Sequence, residues 1–389
     1  LNAITGETSS ILGTDVSNVG DVNGDGVDDF VLGAYQSSVG GTQRGAAYVI
    51  FGNTAGVPVV NVSELTSGSS TKGFVINGAF DYNYAGFFGV SGAGDLNGDG
   101  LADLVLNGQS YANGTVGQGY VVWGKASGST VNLASMGASG ITVYGDQVNS
   151  GRFALSSAGD VNGDGLADLV VGNRYSNAYV IFGSSSLAAQ STVTASSWVA
   201  TSTGGFVMAG SGTGEATGYN VTNAGDVNGD GLSDVLVSMP YATTSAGAQT
   251  GRAFVVFGKS DNSTINLTSL TSGSPTAGFV INGQAASDTL GDGHGLSNAG
   301  DVNGDGLADV IVASYSATVG GNAGAGKSYV VFGKTSGAAV DLSAVAAGTG
   351  GFVINGQAAS DYSGYSVSYA GDFNGDGLAD FIVGAYQAD

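Results

Sequence analysis

The segment GDVNGDGVDD at residues 20–29 returns as GDLNGDGLAD at 94–103 and GDVNGDGLAD at 159–168, and three further copies begin at residues 225, 300 and 371. Each copy is a turn that places Asp, Asn and Asp at alternate positions, has Gly at its fourth and sixth positions, and ends on another Asp. The copies lie 65 to 75 residues apart, with their first Asp at Asp21, Asp95, Asp160, Asp226, Asp301 and Asp372. Self-similarity at this period indicates stacked or radially arranged supersecondary units rather than independent domains.

Each turn is followed by short apolar segments that are typical of β-strands. FVLGA at 30–34 comes directly after the first turn, YVIFG at 48–52 comes next, and GFVING at 73–78 is the third segment. A polar connection such as KTSGAAVDLSAVAAGTG at 334–350 lies before the third segment, and a fourth segment such as GYSVSYAGD at 364–372 leads into the next turn. Four strands per repeat, without helix-period stripes, predict an all-β fold.

Four-stranded units repeated at this period predict a single β-propeller domain over residues 1–389. A β-solenoid is the alternative, but it would use much shorter repeats. The sixth repeat stops at FIVGAYQAD, without a YVVFG segment, while LNAITG at 1–6 resembles an outermost strand. We therefore expect six or seven blades with the last one incomplete, and we interpret the N-terminus, which has no initiator Met, as that of a mature or excised fragment.

The composition excludes several classes of function. Nine Lys and Arg against 31 Asp and Glu give a net charge of −22, and such a chain is a poor partner for nucleic acid, whose phosphates require clustered cations. There is no Cys, so disulfides, thiolate metal sites and thiol nucleophiles are absent. No apolar run reaches the roughly 18 residues that would span a membrane.

The repeated turn has the donors of a hard-cation site. Asp at positions 1, 5 and 9, Asn at position 3 and the carbonyl of position 7 offer only oxygen ligands, which favours Ca²⁺ over Zn²⁺ or Cu²⁺. Mg²⁺ fits less well because it prefers octahedral geometry with retained waters. The predicted ligand sets are Asp21, Asn23, Asp25, Val27 and Asp29; Asp95, Asn97, Asp99, Leu101 and Asp103; Asp160, Asn162, Asp164, Leu166 and Asp168; Asp226, Asn228, Asp230, Leu232 and Asp234; Asp301, Asn303, Asp305, Leu307 and Asp309; and Asp372, Asn374, Asp376, Leu378 and Asp380.

Two other interpretations of the turn are possible. An EF-hand would place a bidentate Glu at position 12, but that position is Leu or Val in every copy, so the last carboxylate must come from position 9. A single turn of this kind could also be an Asx turn without metal. Six copies that all keep the ligand positions favour a set of mainly structural calcium ions.

These residues resemble the FG-GAP repeat family, the β-propeller repeat of integrin α-subunit head domains and many bacterial surface proteins. The segment FFGVSGAGDLNGDGLADLVL at 87–106 has the family's order, with Phe88 and Gly89 in the Phe-Gly place. The Gly-Ala-Pro element appears only as GAY at 33–35 and 384–386 and as SMP at 238–240. The resemblance implies an extracellular or cell-surface propeller with calcium turns on one face and ligand on the opposite face.

The loops expected on that opposite face carry aromatic and cationic side chains. They include Tyr35, Tyr111, Tyr175, Tyr241 and Tyr315, with Arg44, Arg174, Arg252 and Lys327. Tyr with an occasional cation on adaptable loops suits the recognition of glycans or proteins. Packing of these tyrosines on their neighbours is the alternative.

No catalytic set can be assembled from the sequence. His294 is the only His, and it occupies a position that holds Phe or Tyr in other repeats, so we expect it to pack. Trp123 and Trp198 are expected to pack as well, and the loop acids Asp81, Asp146, Glu215, Asp288 and Asp361 are expected to be solvated. The sequence thus predicts a non-enzymatic, calcium-stabilised adhesion or ligand-binding module. The propeller part of a secreted polysaccharide-active enzyme and a scaffold in a surface assembly are the alternatives.

Overall fold

A computed structural model describes residues 4–5, 10–39, 41–54, 60–86, 89–108, 116–148, 153–175, 177–201, 203–212 and 214–388. The chain divides into two compact units. Unit 1 comprises Leu1–Ser157, Leu166–Leu169 and Ile181–Thr201, and unit 2 comprises Ala158–Gly165, Val170–Val180 and Ser202–Asp389.

Nearly all regular structure is β-strand, as the sequence predicts. The strands are β1 (Ile4–Thr5), β2 (Leu12–Gly20), β3 (Asp29–Ala34), β4 (Ala46–Ile50), β5 (Val60–Asn61), β6 (Gly73–Asn77), β7 (Val90–Gly94), β8 (Asp103–Gly108), β9 (Val116–Val122), β10 (Val131–Asn132), β11 (Gly140–Val148), β12 (Ala154–Gly159), β13 (Asp168–Gly172), β14 (Asn177–Ile181), β15 (Thr192–Thr194), β16 (Gly205–Ala209), β17 (Val221–Gly225), β18 (Asp234–Met239), β19 (Arg252–Val256), β20 (Ile265–Asn266), β21 (Gly278–Asn282), β22 (Leu296–Gly300), β23 (Asp309–Ser314), β24 (Lys327–Val331), β25 (Val340–Asp341), β26 (Gly351–Asn355), β27 (Ser363–Gly371) and β28 (Asp380–Ala385). The helices are short: α1 (Ala195–Val199), α2 (Leu342–Ala346) and 3₁₀ turns at Val62–Ser67, Gly137–Ser139, Leu187–Ala189 and Leu267–Thr271.

The strands form five propeller blades. Their strand orders are β2-β3-β4-β6-β10, β7-β8-β9-β11-β15, β12-β13-β14-β16-β20, β17-β18-β19-β21-β25 and β22-β23-β24-β26. In each blade the first strand leads into an Asp-Asn-Asp turn and the second strand leaves it. The third and fourth strands continue the antiparallel meander, as in β18-β19-β21. The predicted four strands per repeat are confirmed.

Four blades also have a fifth strand that the sequence analysis missed. Each such strand is only two or three residues long, comes from the following repeat and pairs in parallel with the fourth strand, as β10 does with β6 and β25 with β21. It lies in the segment interpreted from sequence as a polar connection. Strand β1 pairs in parallel with β5 in the same manner, which agrees with the outermost-strand character predicted for LNAITG.

The strands read as continuous apolar runs because both faces of a blade are buried. In β3, Val31 packs in a cluster that includes Leu104 and Tyr120 of the second blade, whereas Leu32 packs on the other side with Tyr48 and Ile50. In unit 2, a corresponding cluster joins the fourth and fifth blades through residues such as Val255, Phe279, Val312 and Tyr329. Apolar residues from consecutive blades thus pack together in clusters between the blades.

The predicted count of six or seven blades is wrong, because the described residues form five. The sixth repeat contributes a two-stranded sheet, β27 with β28, which we call the C-terminal sheet. The sixth repeat forms only two strands because no third-strand segment follows β28 within the 389 residues. The sixth repeat, which the sequence predicts to be incomplete, thus forms two strands and not a further blade.

A register shift places each turn at the end of its first strand. The pairing of β2 with β3 shifts between Asn18 and Gly20, where Gly20 has a φ of 71° and donates its N–H to Asn18 Oδ1 at 2.7 Å. Equivalent shifts occur at Gly94, Gly225, Gly300 and Gly371. Only Gly adopts this left-handed conformation without strain, so the Gly before the first Asp is a requirement of the bulge.

Within the described ranges, no helix has the length and apolar character needed to cross a bilayer.

Aromatic residues buried between blades should contribute more to the free energy of unfolding than exposed aromatic residues do. Phe279 is fully buried, meets Phe257 edge-on at 6.1 Å and has Lys334 Nζ 4.1 Å from its ring centre. We expect Phe279→Ala to lower the free energy of unfolding by about 3–5 kcal/mol. The matched control is Phe373→Ala, since Phe373 is 88% exposed and its loss should change the free energy by about 0.5 kcal/mol or less. Urea denaturation measures both, and equal midpoints would contradict the assignment of the core.

Candidate functional site

The first Asp of every turn organises the loop that follows it. Asp21 Oδ1 accepts the N–H groups of Gly24 at 2.7 Å and Asp25 at 3.0 Å, and Asp21 Oδ2 accepts that of Gly26 at 2.8 Å. The same three bonds recur at Asp95, Asp160, Asp226, Asp301 and Asp372. Gly24 and Gly26 have φ values of 79° and 84°, so the chain can wrap closely around this carboxylate.

The middle of each turn holds the second and third predicted donors. Asn23 Oδ1 accepts the N–H of Asp25 at 2.8 Å, while Asn23 Nδ2 donates to Asp25 Oδ2 at 3.1 Å. Asp25 Oδ1 accepts the N–H of Val27 at 2.9 Å. The side chains at positions 1, 3 and 5 therefore come from one loop and engage one another and its amides.

The last Asp of each turn has a structural role that the sequence analysis missed. Asp234 is fully buried, its Oδ2 accepts the N–H of Val227 at 2.8 Å, and its Oδ1 accepts the N–H of Gly258 at 2.8 Å. Gly258 is the Gly that ends the VVFG segment after the third strand, so one carboxylate joins the turn, the second strand and the end of the third strand. The Oδ1 bond to the equivalent Gly recurs at Asp29, Asp103, Asp168 and Asp309, at 2.6 to 2.9 Å. The Phe-Gly pair that recurs at the end of the third-strand segment is the sequence feature that could have indicated this role.

Burial sets the protonation of these closing carboxylates apart from the others. Burial raises the pKa of Asp29 and Asp309 to about 6 and that of Asp103 and Asp234 to about 7; amide hydrogen bonds oppose the shift and the two other Asp of the same turn add to it. At Asp21 burial also acts to raise the pKa, but the amides of Gly26, Gly24 and Asp25 together outweigh it and hold the pKa below the usual value. The turn thus separates a readily ionised outer carboxylate from a buried inner one.

The donor chemistry of the turns fits a hard cation. Every side-chain donor of a turn is a carboxylate or amide oxygen, and the three at positions 1, 3 and 5 follow one another at alternate residues of a loop shaped by Gly. Among the residues that the structure describes, however, no three acidic side chains converge as a ready metal-holding group. The oxygens instead accept amide hydrogen bonds, and the Asn nitrogen at position 3 lies against the Asp at position 5 in the first, third, fourth and fifth turns.

A backbone hydrogen bond joins each turn to the preceding one. The N–H of the eighth residue donates to the carbonyl of the earlier turn's first Asp, as from Ala102 to Asp21 at 3.0 Å. The same bond runs from Ala167 to Asp95, Ser233 to Asp160, Ala308 to Asp226 and Ala379 to Asp301. A Cβ on Gly20 would stand 3.1 Å from the Ala102 Cβ, so the contact selects small residues at both positions.

Within the described ranges, tyrosines gather at the opposite ends of the strands, as predicted, into three clusters. In unit 1, Tyr35 lies 6.1 Å from Tyr84, which lies 6.2 Å from Tyr82. In unit 2, Tyr241 meets Tyr219 at 5.9 Å, and Arg174 stands over the Tyr219 ring at 4.6 Å. The third cluster, also in unit 2, contains Tyr315, Tyr362, Tyr365 and Tyr386.

Sequence analysis found only one tyrosine in each of these clusters as a ligand candidate. Tyr82, Tyr84, Tyr362 and Tyr386 were missed, although Asp-Tyr pairs at 81–82 and 361–362 mark the loops that carry three of them. The N–H of Tyr175 donates to Asn173 Oδ1 at 3.2 Å. Tyr111 and the predicted Phe88 lie outside the described residues.

The loop cations and acids contact neighbouring loops. Arg44 Nε pairs with Asp81 Oδ1 at 2.8 Å on the surface. Arg252 Nε donates to Asn282 Oδ1 at 3.3 Å, and Lys327 Nζ donates to Gln284 Oε1 at 2.7 Å. The loop acids that were expected to be solvated differ in burial and in hydrogen bonding. Glu215 accepts a hydrogen bond from Ser211, and Asp361 accepts the N–H of Ala358. Asp288, by contrast, is buried, and burial raises its pKa.

The single His and the two Trp residues are packed to different degrees. His294 stands edge-on to Tyr365 at 6.2 Å, and its backbone pairs with the segment around Ser366. Trp123 is buried, as expected for a residue that replaces Phe in the third-strand segment. Trp198 lies in α1 with part of its surface accessible.

Comparison with known sequences identifies the repeat. The family described as FG-GAP repeat matches residues 12–50, 154–188, 217–256, 293–331 and 363–389. Five of the six turns fall in these ranges. The turn at 95–103 falls outside them, although it makes the same hydrogen bonds.

Curated relatives share part of the chain. Phosphatidylinositol-glycan-specific phospholipase D of Mus musculus is 32% identical over 159 residues, which cover 40% of this chain and 17% of that protein. The proteins of that name from Rattus norvegicus and Homo sapiens are 32% and 31% identical over 160 residues, covering 40% of this chain and 18% of each relative. The chain therefore matches less than a fifth of the length of these relatives.

The closing carboxylate should contribute more to ion-free stability than the outer ones. Asp234→Ala leaves the buried N–H of Val227 without its acceptor, at a cost of about 1–3 kcal/mol, and also removes the acceptor of the half-buried N–H of Gly258. Asp230→Ala is the control, because Asp230 belongs to the same turn but is exposed. Thermal melts in EGTA should show a clear loss of stability for Asp234→Ala and a small one for Asp230→Ala. Equal losses would contradict the role of the buried carboxylate.

Proposed function

Because the chain belongs to the FG-GAP repeat proteins, we propose that it is a calcium-stabilised, non-catalytic ligand-binding module that works outside the cell or at its surface. The observation that carries the proposal is that the two ends of each second strand hold different kinds of residues. Asp29 closes a turn at one end of β3, and Tyr35 begins a variable loop beyond the other end, roughly 17 Å away at ordinary strand rise. Nearly invariant oxygen donors lie at one end and variable aromatic clusters at the other.

Calcium would act on the turns as a stabiliser. Carboxylates at positions 1 and 5 repel one another, and the buried one at position 9 is costly to ionise, so a divalent cation relieves both penalties. Binding would exchange the hydrogen bond between Asn23 Nδ2 and Asp25 Oδ2 for bonds from the oxygens of both side chains to the ion. An ion that binds only the native state stabilises it by about 1.4 kcal/mol for each tenfold excess over its dissociation constant.

Ligand binding is supported by the fixed geometry of the tyrosine loops. Tyr82, Tyr84 and Tyr362 have φ values of 63°, 50° and 53°, a conformation that costs free energy for a residue with a side chain. The loops hold it through backbone bonds such as those from Tyr82 to Thr42 and from Tyr362 to Gly324. A rigid ring with a hydroxyl offers a large contact area at small entropic cost, which suits a glycan or protein ligand.

The alternative is that the chain is the propeller part of a secreted enzyme. The relatives carry the name of a phospholipase specific for phosphatidylinositol-glycan, and the matched segment covers less than a fifth of each relative. In that case the tyrosine loops would position a glycan-bearing or polysaccharide substrate for catalysis elsewhere. A scaffold in a surface assembly would use none of the three tyrosine clusters for ligand.

The calcium proposal predicts a metal-dependent melt. Millimolar Ca²⁺ should raise the melting temperature relative to EGTA by several degrees at least, because up to six sites contribute, and equal Mg²⁺ should raise it less. Asp305→Ala should lose about one bound ion by mass spectrometry of the metal content, since only the fifth turn changes. Identical melting curves in Ca²⁺ and in EGTA, or an unchanged calcium content in the variant, would contradict the proposal.

The ligand proposal predicts that one end of the strands binds. Tyr82 is 52% exposed in a tyrosine cluster, whereas Tyr369 is 50% exposed on β27 near the last turn, so the two make a matched pair. On a glycan array, and against any ligand it identifies, Tyr82→Ala or Tyr362→Ala should weaken binding about tenfold. Tyr369→Ala should leave binding unchanged. Weakened binding in Tyr369→Ala alone would show that the faces are assigned the wrong way round.

A further inference from the structure

The loop between the second and third strands is much shorter in the third blade than in the fourth and fifth. It spans residues 173–176 between β13 and β14, whereas the corresponding loops span residues 240–251 and 315–326. Within the short loop, Arg174 has a φ of 64°. This left-handed conformation suits Gly, Asn or Asp and costs free energy for a long side chain. A strained residue with a long side chain points to a use for that side chain.

The Arg174 guanidinium lies over an aromatic ring. Its Cζ is 4.6 Å from the centre of the Tyr219 ring, and Tyr241 meets the same ring edge-on at 5.9 Å. Tyr219 is buried, whereas Arg174 and Tyr241 are half-buried. These three side chains, which we call the arginine–tyrosine cluster, all belong to unit 2. The Tyr219 ring thus holds the guanidinium in place without neutralising its charge.

Arg174 differs from the other cations of these loops in its polar contacts. The others each have a polar partner, as Arg44 has in Asp81 and Lys327 has in Gln284. Within the part of the chain that the structure describes, the Arg174 guanidinium has neither a hydrogen-bond acceptor nor an ion-pair partner. Its N–H donors are therefore available to a ligand.

The surrounding charge limits how many anionic groups such a ligand can carry. The chain has a net charge of −22. Glu215, whose carbonyl accepts the N–H of Tyr241, has its carboxylate bonded to Ser211. One accessible cation in so acidic a chain attracts a single oxyanion group, while the remaining charge repels a polyanion. The planar fork of a guanidinium suits an oxyanion that accepts two parallel hydrogen bonds.

The strands next to the arginine–tyrosine cluster favour a sugar over a peptide as the ligand. Strand β13 pairs with β12 and β14, and β18 pairs with β17 and β19. Because both edges of each strand are occupied, a peptide cannot add to them as a further strand. Recognition must go through side chains. A tyrosine such as Tyr241 packs its ring on the apolar face of a sugar and offers its hydroxyl to the sugar's hydroxyl groups.

We propose that the arginine–tyrosine cluster binds a sugar that carries one oxyanion group. Arg174 donates to the oxyanion, Tyr241 contacts the sugar ring, and the buried Tyr219 positions the guanidinium. This inference rests on the proposed ligand-binding function and adds to it the charge class of the ligand. A carboxylate, a sulfate or a phosphate on the sugar would accept from the same N–H groups, so the experiment includes all three.

A glycan array of matched pairs tests the charge class. Each pair contains a uronic-acid oligosaccharide and its methyl ester, which is neutral, and sulfated and phosphorylated forms of the same sugars identify the preferred oxyanion. The 389-residue protein is applied in millimolar Ca²⁺, and the affinities for the best pair are measured by titration calorimetry. We expect the protein to bind the acidic member at least about tenfold more tightly than its neutral counterpart, because hydrogen bonds to a charged group are the stronger ones.

Variants of the protein assign the preference to one side chain. Arg174→Asn removes the cation, and Asn tolerates the left-handed backbone, so the variant should fold, bind the neutral sugar as before and lose the preference for the acidic one. Arg174→Lys keeps the charge without the planar fork and should retain a preference of only about threefold. The control Lys72→Gln removes a cation from a surface ion pair with Glu64 and should leave the preference unchanged. Binding through calcium would not depend on Arg174.

Four results would overturn the inference. Equal affinity for the acidic and neutral sugars would leave the proposed ligand-binding function intact and show that only the charge class is wrong. A preference for the acidic sugar that Arg174→Asn retains would place the oxyanion elsewhere. Tighter binding of a short peptide with one Glu would show that the ligand is a polypeptide. Failure of the folded protein to bind any sugar on the array would also contradict the glycan form of the proposed function.

Discussion

The structure depends on a buried carboxylate that accepts two backbone amides. At Asp234 one oxygen fixes the start of the turn and the other fixes the end of the third strand, so a single side chain holds three segments of a repeat in register. The interaction is strong because the two hydrogen bonds lie where water is largely excluded, and a low local dielectric strengthens them. It also explains why the closing Asp is kept even though the exposed donors of the turn lie at positions 1, 3 and 5.

Much of the fold could be predicted from the sequence because the residues that recur in every repeat, above all Gly, favour particular backbone conformations. Gly20 permits the bulge, Gly24 and Gly26 permit the close turn around Asp21, and the consecutive apolar residues Val31 and Leu32 reflect burial on both faces. Strand number per repeat and the incomplete last unit follow from these signals. The number of turns overestimates the number of blades, because a blade requires a third and a fourth strand in addition to the two strands that flank the turn.

Other features could not be derived from local pattern. Val131–Asn132 and Val340–Asp341 are too short to register as strands, and their parallel pairing is decided by contacts with a preceding repeat. The tyrosine clusters were only partly predicted for the same reason: Tyr35 and Tyr84 are 49 positions apart in sequence, and only the meeting of two loops brings their rings together. One amide donor of Asp29, that of Val22, lies within the turn, but the other comes from Gly52, 23 residues further along and outside the motif.

The borrowed fifth strand also bears on how such chains evolve. Because β10, β20 and β25 each leave their own repeat to complete the preceding one, the boundary of a duplicated gene segment need not coincide with the boundary of a blade. Unequal crossing-over that inserts or deletes one period leaves every junction with the same kind of donor and acceptor. Repeat number can therefore drift by whole units without the invention of a new interface, while the loops of individual repeats diverge independently.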